Sequence, residues 1–229
     1  MNLQAFTQAR GVSGNEDAAR EVILEAVRPF IDDHRVDALG NLICHKAPRG
    51  GADGATPLRV MVAAHMDEIG LIITGINADG TLSFDKIGGI DDRVLLSKQV
   101  LVGADAVPGV IGYAPIHLIP AAERAKAPDM SRAVIDIGAT DKAGAEKLAS
   151  LGDYVSFRGE WAVLDEGGLR TVVAKALDDR AGCAILAELL QENYAIDLYG
   201  VFTTQEEVGL RGARVAAQRI APDVAIVLE

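Results

Sequence analysis

Apolar residues recur at helical intervals through Ala19, Val22, Ile23, Ala26, Val27, Phe30 and Ile31, which predicts an amphipathic helix. Ser13 and Glu16, three apart ahead of it, have the spacing of a capping box. The runs His34–Leu39 and Leu42–His45 flank Gly40-Asn41 and predict a hairpin. Arg49–Pro57 is rich in glycine and proline and reads as a loop. Leu58–Ala64 is almost continuously apolar, the pattern of a strand covered on both faces, and its end delivers His65.

The texture changes between Ile69 and Leu169. Short β-like runs, Gly70–Ile76, Thr81–Ile87, Gln99–Val102 and Ala106–Ile111, are separated by Asn, Asp, Gly and Pro turns. That punctuation predicts a small barrel or sandwich. One helix is expected inside it, Asp141–Leu151, with Thr140 as N-cap and Gly152 just past its end. The α/β alternation then returns. Thr171–Leu177 reads as a strand, Ala181–Gln191 as a helix, Leu198–Thr204 as a strand, Gly212–Arg219 as a helix and Val224–Leu228 as a strand. The expected fold class is α/β. A discontinuous domain, residues 1–68 and 169–229, is interrupted by a β-rich insert, residues 69–168.

Composition narrows the function classes. With 229 residues and 49% hydrophobic content the chain can build a real core and is too apolar for intrinsic disorder. A net charge of −11 argues against nucleic acid and against an anionic membrane surface as partners. The longest apolar stretch, Gln99–Ala122, is broken by Asp105, Pro108, Gly109, Gly112 and Pro115, so no membrane span is expected. The start shows no basic, then apolar, leader pattern. Cys44 and Cys183 are too few for a disulfide framework, and Cys183 reads as a buried thiol of a reducing cytosol. The expected location is cytoplasmic.

Three short sequences stand at the carboxyl ends of expected strands: His65-Met66-Asp67-Glu68, Leu177-Asp178-Asp179-Arg180 and Gln205-Glu206-Glu207. Glu229 follows the last one. Ligands of open α/β sheets bind outside the carboxyl ends of strands, and one His with several carboxylates suits borderline or hard divalent cations. Each cluster alone has a bland explanation. A His-x-Asp triplet is commonly a surface hydrogen bond, Asp-Asp-Arg a solvated helix start, and Glu-Glu an exposed helix pair. Asp179 and Arg180 fit a cap and ion pair at the next helix start, and Glu68 a structural role. A second Asp-Asp-Arg, Asp91–Arg93, lies in the insert and reads as a turn with an ion pair. His117 reads as a packed residue of the insert, and His34 and His45 receive no role. The conjunction of four clusters at strand ends is what solvation does not explain.

Taken together, HMDEIG, LDDRAG and TTQEEVGLRGA, with GVSGNE, DALGNLI and GVIGYAPIHL in support, resemble the glutamyl-aminopeptidase/TET family of dinuclear metallo-aminopeptidases from about Ala9 to Glu229. The resemblance implies a mixed-sheet α/β/α metallopeptidase domain with an inserted, β-barrel-like dimerisation domain. It implies two divalent ions, zinc or cobalt first and manganese also fitting. His65, Asp178 and Glu229 would hold one ion, and Asp178 and Glu207 the other. Asp67 would orient the His65 ring, and Glu206 would be the general base. Peptides would be the substrates, and the chain would self-associate through its insert. Family members are longer and carry a further His ligand near their carboxyl end, which no residue here matches, so the chain reads as carboxyl-terminally incomplete. Two other readings stay open: a catalytically impaired relative acting in binding or oligomerisation, and a carboxylate-pair glycosidase, which would leave His65 and Asp178 unexplained.

Overall fold

The computed structural model describes residues 2–50, 56–119, 121–122, 129–165 and 167–229. In chain order, helices α1 (Leu3–Gln8) and α2 (Asp17–Val27) precede strands β1 (Asp33–Val36), β2 (Leu42–Lys46) and β3 (Arg59–His65). Then come β4 (Gly70–Ile76), β5 (Leu82–Ile87), β6 (Gln99–Val102), β7 (Val107–Gly112), β8 (Val134–Asp136), α3 (Lys142–Ala145) and β9 (Tyr154–Phe157). The chain finishes with β10 (Ala162–Val163), β11 (Val172–Val173), α4 (Leu177–Leu189), β12 (Asp197–Thr203), α5 (Arg211–Ile220) and β13 (Val224–Val227). Part of the expected loop Arg49–Pro57, residues 51–55, lies outside the described residues. The fold divides into two compact units, Met1–Glu68 with Gly159–Glu229, and Ile69–Arg158.

The first unit is built on a five-stranded mixed sheet of order β1-β2-β12-β3-β13. Strand β3 runs parallel to both β12 and β13, whereas β2 is antiparallel to β1 and β12. Alternation along the central strands sends Leu42, Cys44, Val60, Val62, Ala64 and Phe202 into one core with Ile23 and Val27 of α2 and Leu186 of α4. Ile43, Met61, Ala63 and Val201 enter the other, under Ala216 and Ile220 of α5. Both faces are therefore covered, which is why β3 reads as a continuous apolar run. Each fully buried Leu, Ile or Phe contributes about 2 kcal/mol from the area it removes from water.

The second unit is a closed barrel of order β4-β5-β8-β7-β6-β9. Leu71, Ile73, Leu82, Val100, Val102, Ile111, Ile135 and Val155 fill its interior. A register shift between Ile73 and Gly75 marks an irregularity in β4, the kind of device that lets a sheet bend. Asp91 accepts from the Arg93 backbone N–H and forms the expected ion pair with its guanidinium. Among the described residues no helix is long and apolar enough to cross a membrane.

Four local expectations are corrected. Thr171–Leu177 is no strand of the main sheet: only Val172–Val173 pair, with Ala162–Val163, and Ala176 turns the chain at φ 51° into α4. The expected helix Asp141–Leu151 is a single turn, and its cap is not Thr140 but Asp141, whose carboxylate accepts from Gly144 N at 2.7 Å. Glycine at that position is a weak helix former, so the turn does not propagate. Ser13 and Glu16 form no capping box, because α2 begins at Asp17 and neither side chain bonds its first turn. His117 is exposed rather than packed.

Candidate metal centre

His65 closes β3, 2% exposed, where the parallel strands β3 and β12 end side by side. Its Nε2 lies 2.9 Å from Asp178 Oδ1 and 3.9 Å from Glu206 Oε2. On its other edge, Nδ1 lies 3.1 Å from the Asp67 carbonyl oxygen and 3.4 Å from Asp67 Oδ1. A proton on Nδ1 held by Asp67 leaves Nε2 to face the carboxylates as a ligand atom. Burial alone would lower the His65 pKa, but Asp67, Asp179 and Asp178 outweigh it and raise it to about 9.

Asp178 arrives differently from the sequence expectation, at the start of a helix rather than the end of a strand. Within α4, Asp178 and Asp179 leave the helical region, with ψ of 109° and 41°. The break turns Asp178 outward, its side chain 75% exposed, while Asp179 stays 2% exposed. The Asp179 carboxylate accepts from Gly182 N at 2.8 Å and from His65 N at 3.2 Å. It thereby caps the regular part of α4 and ties that helix to β3. Burial pushes the Asp179 pKa up to about 6.

Glu206 and Glu207 follow β12, and consecutive strand residues point to opposite faces. The chain bends first at Gln205, φ 54°, and then turns through Val208-Gly209 as expected, with Gly209 at φ 114° and the amides of Gly209 and Leu210 both donating to the Glu206 carbonyl. Asp67 organises that turn. It is fully buried, and its Oδ1 accepts from Glu206 N at 3.0 Å while its Oδ2 accepts from Glu207 N at 3.1 Å. Burial would raise the Asp67 pKa, but bonds from His65, Ser13 and Glu206 N hold it below the ordinary carboxylate value. The Glu207 pKa is pushed up to about 7, by burial first and then by the charge of Asp178. Burial likewise raises Glu206, with Glu229, Asp67 and Asp178 adding to it.

Among the described residues, His65, Asp178 and Glu229 form the group able to hold a cation: one ligand atom of each lies within 4.8 Å of the others. Imidazole nitrogen plus two carboxylates is a donor set suited to zinc, cobalt or manganese. Glu207 stands outside that group.

The profile of the M42 glutamyl aminopeptidase family matches residues 40–229. The chain belongs to this family. A protein of Acetivibrio thermocellus provisionally named an aminopeptidase is 41% identical over 99% of the chain. A TET aminopeptidase structure from a marine-sediment Thaumarchaeota archaeon superposes with a TM-score of 0.91 at 35% identity, over 100% of this chain and 65% of that one. The TET1 peptidase of Pyrococcus horikoshii, described as assembling into a tetrahedron or a large octahedral shell, superposes with a TM-score of 0.86 at 38% identity, over 99% of this chain and 67% of that one. The chain spans 64% of the length of the Acetivibrio relative.

Within this M42 domain the supporting residues were the ones hidden from sequence reasoning. Asn41, expected only as a turn residue, accepts from Thr204 N at 3.0 Å and donates to the Gly212 carbonyl at 3.1 Å, clasping both ends of the Glu206-Glu207 turn. Glu68 is structural, as expected: its two oxygens take Lys175 Nζ at 2.7 and 2.8 Å, and Oε1 also takes Gly11 N at 3.0 Å. Among the described residues Arg180 has no acidic partner. Fully buried, it donates to the carbonyls of Met66, Phe6 and Ala9 and so holds α1 against the segment after His65.

Proposed function

We propose that this chain carries the catalytic core of a metal-dependent aminopeptidase that releases residues from the amino ends of peptides. The observation that carries the reading is the convergence of His65, Asp178 and Glu229 within 4.8 Å, in a chain of the M42 family. His65, Asp178 and Glu229 would hold one ion and Asp178 with Glu207 a second, zinc or cobalt first and manganese on the same donors. A divalent ion on these donors supplies Lewis acidity toward a water and a scissile carbonyl.

The chain's own groups do the proton work. Glu206 reaches the edge of the cluster, 3.9 Å from His65 Nε2, and burial raises its pKa, the direction that strengthens a carboxylate as a base. It accepts a proton from the water as the hydroxyl adds to the carbonyl carbon, then passes that proton to the amine nitrogen as the C–N bond breaks. Asp67 holds both the His65 ring and the Glu206 amide, so ligand and base keep a common frame.

The barrel unit is assigned to self-association and the chain to the cytosol, where its two buried, unpaired thiols are at home. A second reading has one observation in its favour: the cation-holding group contains three ligands and excludes Glu207, which suits a single-ion binding protein. Metal content and hydrolysis of aminoacyl-nitroanilides decide between them. Two ions per chain with chelator-sensitive turnover supports the peptidase; one ion or none without turnover supports the binding protein.

A further inference from the structure

The motif that sequence reasoning placed at a helix cap belongs to the site. Ser13, 5% exposed, directs its Oγ to Asp67 Oδ2 at 2.6 Å, the oxygen that also accepts from Glu207 N. Glu16, 4% exposed, accepts from Gln205 N at 3.2 Å through Oε1, just ahead of the two glutamates. The segment leading into Ser13 is pinned to the strand end by Ser13 N donating to the Glu68 carbonyl at 3.2 Å and Glu68 N donating to the Gly11 carbonyl at 2.9 Å.

A buried carboxylate that accepts three donors has one rotation that satisfies them all. With the Ser13 hydroxyl and Glu207 amide on Oδ2 and the Glu206 amide on Oδ1, the plane of Asp67 is set, and with it the positions of Glu206 and Glu207. We infer that Ser13 is a positioning residue that acts through Asp67 to set the Glu206-Glu207 turn, with Glu16 bracing the same turn from Gln205. As a statement about catalysis this rests on the metallopeptidase reading; as a statement about the turn it does not. Residues that orient ligands from behind typically cost about 10–100-fold in metal affinity or activity when changed.

Two measurements on Ser13→Ala and Ser13→Thr test it. Amide hydrogen exchange, without added metal, reads the turn directly. In Ser13→Ala the Glu206 and Glu207 amides are expected to exchange at least about tenfold faster while Val62 and Val201 in the central strands keep their protection. Cobalt titration reads the site, with affinity expected to fall about 10–100-fold in Ser13→Ala. Ser13→Thr, which retains the hydroxyl, is expected to restore both. Wild-type exchange at Glu206 and Glu207 in Ser13→Ala would overturn the inference. So would uniform loss of protection across the sheet, or failure of Ser13→Thr to restore the turn, since either marks a general packing role. A parent chain that binds no cobalt would remove the metal reading and the catalytic part of the inference, and the exchange result would still decide whether Ser13 sets the turn.

Discussion

His65 Nε2 and Asp178 Oδ1 lie 2.9 Å apart, one from the end of a central strand and the other from a break in the first turn of α4. Glu206, the proposed base, follows β12 and brings Oε2 to 3.9 Å from the same ring nitrogen, and Glu206→Gln isolates its part. The amide cannot take a proton but keeps the side chain's size. Cobalt affinity is expected to stay within about threefold of the parent while turnover falls by about 10²–10⁴-fold. A Glu206→Gln chain hydrolysing an aminoacyl-nitroanilide at the parental rate would remove Glu206 as the base.

The site makes stability depend on pH with a definite sign. His65 is raised from 6.5 to about 9, so in the ion-free chain its contribution is fully present below pH 6.5 and is lost as pH rises through about 9. Glu207, raised from 4.5 to about 7, and Asp179, raised from 3.8 to about 6, act in the same direction but at lower pH, their contributions being lost by about pH 7 and about pH 6, so the fall above that rests on His65. Ion-free Tm is therefore expected to fall between pH 6.5 and 9. Ligand groups must lose protons to bind a cation, so cobalt affinity is expected to climb over the same interval. Melting curves and cobalt titrations across this range check both slopes, and an ion-free Tm that rises would contradict the assignment.

Lys175 and Glu68 form a pair whose side chains are 9% and 4% exposed. Lys175→Met leaves Glu68 charged and buried, and the expected loss is about 3–5 kcal/mol in urea unfolding. Replacing both, Lys175→Met with Glu68→Leu, is expected to recover most of that loss because no uncompensated charge remains. A single variant as stable as the parent would mean that water already reaches Glu68.

Gly11 is required by a neighbour rather than by its own backbone. A Cβ there would stand 2.5 Å from Arg180 Nη2 and 3.0 Å from Ala19 Cβ. Arg180 is fully buried and held by three carbonyls, so it has little room to yield. Gly11→Ala is expected to cost about 1–3 kcal/mol by overpacking, measured as a lower urea midpoint with an unchanged slope. Gly50, whose Cβ would meet nothing within 4 Å but whose φ is +80°, separates the two kinds of glycine: there the cost of alanine is backbone strain alone.

The helix at Ala19–Val27, the two-faced burial of β3 and the barrel texture between Gly70 and Phe157 were legible along the chain, because side-chain alternation is local, whereas α1 and the true start of α4 were not. His65 and the acids at expected strand ends stood out from the core pattern as candidates, and of these the fold brings ligand atoms of His65, Asp178 and Glu229 within 4.8 Å of one another. What joins them was not legible. Ser13 and Glu16 carry the spacing of a helix cap yet serve Asp67 and Gln205, 54 and 189 residues away. Asn41 reads as a turn residue and clasps Thr204 and Gly212. Asp178 reads as the end of a strand and sits in a broken helical turn. Hydrophobic period is a property of neighbours in sequence, whereas the partner of a buried hydroxyl or carboxylate is whatever donor or acceptor the fold brings within about 3 Å. The sequence by itself therefore determined which groups are candidates for chemistry, and only the tertiary structure decided which of them are held in place, and by what.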